Sequence, residues 1–104
     1  MYQVIALYGE YEPWWFFEDW KEEIISFEEF DSFPAALQNY QEKYNQLQLK
    51  FVNHVTKKHY LTAFWNEEEK RYCEDCEDDL QLFHSVMLLK EEQPIEAIHQ
   101  VSSI

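Results

Sequence analysis

Glycine is nearly missing from this chain: one residue in 104, alongside three prolines. That scarcity argues against disorder, repeats and collagen-like structure. It also excludes the glycine-rich loops that cradle nucleotide phosphates. Positive charge is scarce too, with 8 Lys and Arg against 21 Asp and Glu and a formal net charge of -13. Duplex DNA is gripped through several Lys or Arg contacts to phosphates, so the charge disfavours direct nucleic-acid binding. An anionic membrane is disfavoured for the same reason. A basic partner protein, a cation or simple solubility suits such a surface better. No window approaches the length of a membrane span. The N-terminal MYQVIALYGEYE has no basic stretch, and its apolar run is too short for a secretory signal. The expected location is cytoplasmic, where the only two cysteines, Cys73 and Cys76, read as reduced thiols.

Core material, by contrast, is ample. Hydrophobic residues make up 46% of the chain and aromatics 18%. The mean hydropathy of -0.59 reflects many acids and amides rather than a missing core. A chain of this length forms one small domain and hides roughly two-thirds of the surface its unfolded form exposes.

Tyr2–Tyr8 (YQVIALY) is rich in strand-forming residues, and Gly9 ends it. Val4, Ala6 and Tyr8 fall on one face and Ile5 and Leu7 on the other, which predicts a strand covered on both sides. Pro13 then interrupts, and Glu12–Glu23 reads as a loop with a turn of helix. It holds an aromatic knot of Trp14, Trp15, Phe16, Phe17 and Trp20. Ile24–Phe27 is a short strand candidate. Asp31 or Ser32 can cap a helix whose first turn takes Pro34 and whose stripe is Phe33, Leu37, Tyr40, Tyr44 and Leu47. Lys50–Lys58 is mixed and only optionally a strand. Tyr60–Trp65 is a strong strand, which Asn66–Glu69 can turn back onto Lys70–Cys73 as a hairpin. Leu80–Leu89 is a further strand, ended by Lys90–Pro94. The expected fold is α+β, with one main helix packed on a four- to five-stranded antiparallel or mixed sheet. It spans residues 1–93, followed by a short C-terminal tail, 94–104.

The segment from Glu67 to Asp79 (EEEKRYCEDCEDD) sets both cysteines in a C-x-x-C spacing among eight carboxylates. C-x-x-C supplies half of a structural zinc site, which needs four nitrogen or sulfur ligands. No second cysteine pair exists. The histidines are His54, His59, His84 and His99. A site of Cys73, Cys76 and His84 with His59 or His54 is sterically conceivable, as is one shared between two copies. Against it, the glycine or proline usual in a zinc knuckle is absent around Glu74 and Asp75. The plainer reading is two unligated thiols at a strand end, with no cofactor. Thiol redox chemistry needs a stabilised thiolate. Here Glu74, Asp75, Glu77, Asp78 and Asp79 surround the pair, and their repulsion should raise both thiol pKa values. The sequence has no nucleophile elbow, zinc-protease helix motif or calcium-loop spacing, so hydrolase chemistry has thin support.

The aromatic knot reads first as a plug covering the sheet, because aromatics dominate small cores. Its sharper reading is a binding surface anchored by Trp14, Trp15 and Trp20. His84, in an apolar strand, reads as a satisfied core histidine ahead of a ligand. The acidic run is a solvated edge or, more sharply, a docking surface for a basic partner formed by Glu67, Glu68, Glu69, Glu74, Asp75, Glu77, Asp78 and Asp79. A mimic of the DNA phosphate lattice would need charges spaced like phosphates over an extended surface.

The YQVI-like start, Glu12–Trp15 (EPWW), Phe17-x-x-Trp20, the helix with Tyr40 and Tyr44, Ala63-Phe64-Trp65, Cys73-x-x-Cys76 and Leu80–Ser85 (LQLFHS) form a combination. It resembles a family of uncharacterised short acidic proteins of the Firmicutes, over about residues 1–92. Members are often encoded beside genes of the competence pilus. The resemblance implies a bacterial cytosolic protein tied loosely to competence, and it implies no catalytic residues. A DNA-binding label carried by some members conflicts with the charge of this chain.

The leading expectation is therefore a non-enzymatic, cytoplasmic α+β domain that works by protein interaction. A zinc protein using Cys73, Cys76 and a histidine or a second copy is the alternative, and a DNA mimic a minor one.

Overall fold

The computed structural model describes residues 1–16, 18–57, 60–75 and 77–95. Its strands are β1 (Tyr2–Gly9), β2 (Ile24–Phe30), β3 (Asn53–Lys57), β4 (Leu61–Trp65), β5 (Lys70–Cys73), β6 (Asp78–Gln81), β7 (Phe83–Lys90) and β8 (Gln93–Pro94). One helix, α1, runs from Phe33 to Lys50. The main sheet has six strands in the order β2-β1-β7-β4-β3, with β8 added beside β7. β5 and β6 form a separate two-stranded sheet. Every pairing is antiparallel.

β1 and β7 sit in the middle and are covered on both sides, as their two-faced apolar pattern requires. On one face, Val4, Phe64, Val86 and Leu88 meet Ala36 and Tyr40 of α1. Phe33, Leu37, Tyr44 and Leu47 extend this contact, so the predicted helical stripe is the packed face. Ser32 caps the helix, its Oγ accepting from the Ala35 N–H at 3.3 Å. Pro34 follows in the first turn, where a missing N–H leaves no bond unmade. Deep in this layer the Tyr40 hydroxyl and Thr62 Oγ1 share a hydrogen bond of 2.7 Å, and Thr62 Oγ1 reaches Thr56 Oγ1 at 2.8 Å.

On the opposite face, Ile5, Leu7, Leu61, Met87 and Leu89 are sealed by Trp14, Phe16, Trp20 and Ile24. The chain after β1 makes two 3-10 turns, Pro13–Trp15 and Trp20–Glu23, and packs these side chains against the sheet. Phe16 takes a left-handed backbone, φ 48°. That conformation costs about 1–2 kcal/mol outside glycine, and packing of the Phe16 ring edge-on to Trp20 at 5.2 Å holds it. The domain is thus three layers: helix, sheet and aromatic cover.

The structure corrects three expectations. The sheet holds six strands rather than four or five, because the turn at Glu91 and Glu92 returns Gln93–Pro94 onto β7. β5 does not pair with β4, because β4 already has β3 on one edge and β7 on the other. Leu80–Leu89 is not one strand: it breaks at Leu82, and its first part, β6, pairs with β5 instead. Among the described residues no helix is long and apolar enough to cross a membrane.

Candidate functional site

The acids of Glu67–Asp79 leave the sheet where β4 ends. Asn66–Glu69 is a tight turn, the Glu69 N–H donating to Asn66 O at 3.0 Å. Gln81 pins it from across the chain, its side-chain amide nitrogen lying 2.7 Å from Asn66 O and 2.9 Å from Glu69 O. The Leu82 N–H adds a bond of 3.0 Å to Glu69 O. The break between β6 and β7 is therefore the clamp that fixes the acidic turn.

Glu69 faces inward. Its Oε1 lies 2.8 Å from His84 Nε2, and its Oε2 accepts from the Tyr8 hydroxyl at 3.3 Å. Tyr8 and His84 are cross-strand partners with ring centroids 4.7 Å apart, and Phe51 flanks the imidazole at 4.6 Å. Burial raises the Tyr8 pKa; the Glu69 charge and its hydrogen bond raise it further, and Arg71 opposes them. Glu69 thus ties Tyr8 and His84 together from the rim of the acidic turn.

Glu67 and Glu68 point outward. With Val52, Asn53, Asn66 and Glu69 they border a cleft of about 760 Å³ between the start of β3 and the end of β4. Beyond it stands the β5–β6 hairpin, with Cys73 opposite Asp78 and Tyr72 opposite Asp79. Its turn carries Glu77 at φ 53°. Glu74, Asp75, Glu77, Asp78 and Asp79 are all exposed. Arg71 turns back toward the body, its Nη1 3.6 Å from Glu10 Oε1.

The tryptophans belong elsewhere. Trp14 and Trp20 are half-buried on the sheet, and Trp15 is 56% exposed. Lys57 lies over the Trp14 ring at 4.8 Å, and Lys57 pairs with Leu61 at the start of β4. The acids follow Trp65 at the other end of that strand. The structure therefore does not join the tryptophans and the acidic run into one surface.

The proposed metal ligands are not gathered either. Cys73 is half-buried at the end of β5, His84 is bonded to Glu69, and His54 stacks on Phe64 at 5.6 Å. Cys76 and His59 lie outside the described residues. Among the described residues no group of three or more His, Cys, Asp or Glu side chains could hold a metal ion.

Sequence reasoning missed Tyr8, Asn66 and Gln81 as organisers of this end. The polar residue inside LQLF was the available signal for Gln81: an amide set among apolar neighbours needs partners. A protein-family model described as "Protein of unknown function (DUF1033)" matches residues 1–104. No curated protein matches this chain. No solved structure matches it either.

Proposed function

This chain belongs to the DUF1033 family of proteins of unknown function, and we propose that it is a non-enzymatic, cytosolic docking domain for a basic protein partner. The β5–β6 hairpin supports this reading. It stands apart as its own two-stranded sheet and exposes Glu74, Asp75, Glu77, Asp78 and Asp79. Among the described residues, no ion pair engages any of these five, nor Glu67 or Glu68 at the hairpin base. Uncompensated carboxylates on a projecting element attract cations over distance and bias encounter toward basic surfaces. The core lies elsewhere, so the hairpin can vary in charge without disturbing folding. The resemblance to proteins encoded beside competence genes directs the search for the partner to the DNA-uptake machinery.

The test is charge reversal of Glu74, Asp75, Glu77, Asp78 and Asp79 to lysine. The variant should fold, with unchanged circular dichroism, and lose the partner that the unaltered chain captures. Binding of a lysine-rich peptide should fall in parallel and should weaken with salt for the unaltered chain. Equal capture by both baits would sink the proposal.

A further inference from the structure

We propose that two copies of this chain pair through β3, edge to edge about a two-fold axis, each placing Lys57 beside the acidic cleft of the other. β3 ends the sheet, and among the described residues no strand lies on its outer side. The backbone groups along such an edge are a template for another strand, which proteins commonly block with charge. The opposite edge, β2, is blocked in this way: it carries Glu28 and Glu29 in a chain of net charge -13. β3 reads NHVTK and has no acidic residue. Its one lysine, Lys57, is exposed at the end of the strand with its ammonium 4.8 Å from the Trp14 ring centroid, a surface contact that pairing exchanges for the partner's carboxylates.

Two exposed valines lie at this edge. Val52, just before the strand, is 87% exposed and Val55, within it, 39%. Ile25 and Phe27 on β2 are exposed too, 66% and 46%, but Glu28 and Glu29 follow them on the same strand, whereas no acidic residue stands beside Val52 and Val55 along the β3 segment.

Charge then fixes the register. Pairing β3 antiparallel to itself about Val55 sets Val55 against the partner's Val55, His54 against the partner's Thr56 and Asn53 against the partner's Lys57. Asn53 lines the cleft that Glu67 and Glu68 border. Each Lys57 therefore arrives at the other copy's carboxylates, and no two like charges face each other on the ladder. The contact is self-complementary, as a two-fold interface must be. It uses Glu67 and Glu68 but not the five carboxylates further out on the hairpin, so it does not depend on the docking function proposed above.

Sedimentation of the full chain at micromolar concentrations tests the pairing. The unaltered protein should be a dimer. Val55→Asp sets two carboxylates face to face and should leave a monomer with unchanged circular dichroism. Phe27→Asp, on the other edge, should leave the dimer intact. Lys57→Glu should weaken the dimer ~10-fold or more, and adding Glu68→Lys in the same chain should restore it. Should Val55→Asp fail to fold, Val55→Cys in a Cys73→Ser/Cys76→Ser background decides the matter. Residues directly opposite on antiparallel strands have Cβ atoms about 4.5–5.5 Å apart, so mild oxidation should link the copies. A monomeric unaltered chain, a folded Val55→Asp dimer, dissociation by Phe27→Asp, or no cross-link in Val55→Cys would each overturn the proposal.

Discussion

Glu69 holds His84 at 2.8 Å from one carboxylate oxygen while the other accepts from Tyr8 at 3.3 Å. A residue from the acidic turn thereby ties β1 to β7 at the mouth of the sheet. The two exposed glutamates before it, Glu67 and Glu68, are presented by the turn that this contact anchors.

Glu69→Gln should separate the anchoring role from the charge. Gln can still accept from Tyr8, so the cost in stability should be about 1–2 kcal/mol, the difference between a charged and a neutral hydrogen-bond partner. The Tyr8 pKa should move down, because the Glu69 charge and its hydrogen bond both raise it. It should not return fully to its ordinary value, since burial is the larger cause. Near-ultraviolet titration of the tyrosines, wild type against variant, reads this shift.

Tyr40 makes stability fall in alkali. Burial pushes its pKa from 10.0 up to about 12. The contribution is complete below pH 10, where both folded and unfolded forms keep the proton. As pH rises from about 10 toward 12, the unfolded chain releases it first, and the stability is lost across that window. Two pH units correspond to roughly 3 kcal/mol. Tyr40→Phe should lower stability by about 1 kcal/mol near neutrality, through loss of the bond to Thr62. Its midpoint should also decline less steeply than wild type over that alkaline range. Thermal unfolding of both proteins against pH checks the difference in slope.

Gly9 is needed for contact rather than for an unusual backbone. A Cβ at this position would lie 1.8 Å from Glu23 Oε2. The Glu23 carboxyl is itself pushed up in pKa, chiefly by burial. Gly9→Ala should therefore displace the end of a flexible side chain and destabilise by about 1–2 kcal/mol. Glu23→Ala should remove most of that penalty in the double variant. Additive losses in the double-mutant cycle would show that the clash is not with Glu23.

The turn between β7 and β8 is strained. Glu91 and Glu92 both have positive φ, 50° and 60°, in a two-residue turn where Asn-Gly is the favoured pair. The Glu92 N–H donates to Gln3 Oε1 at 2.8 Å, a bond that glycine can supply equally well. The Lys21–Glu92 ion pair is exposed and contributes little. Glu92→Gly should stabilise the protein by about 0.5–1 kcal/mol in chemical denaturation. A decrease would mean that the Lys21 pair outweighs the backbone strain.

Much of the architecture was legible because it is written in periodicity. The two-faced apolar pattern of Val4–Leu7 requires layers above and below the strand, and both exist. Ser32, Pro34 and the Phe33–Leu47 stripe fixed the start and the packed face of α1 locally. What was not legible depended on partners far along the chain. Nothing between Tyr60 and Cys73 reveals that both edges of β4 are taken, so the local pattern points the hairpin at the wrong strand. Nor does the local pattern show that Pro94, read as a terminator, pairs with Leu89.

Charge, core supply and amphipathic period are properties of the residues in order, so an acidic, aromatic-rich α+β domain can be read along the chain. Where that acidity ends up follows from folding alone. It turned Glu69 inward to His84, left Glu67 and Glu68 at a cleft and raised the remaining carboxylates on a separate hairpin. It also set the acid-free β3 at the edge of the sheet and the acidic β2 at the other. Strand order arises from pairings between distant segments, and no local pattern encodes which strand is left at an edge.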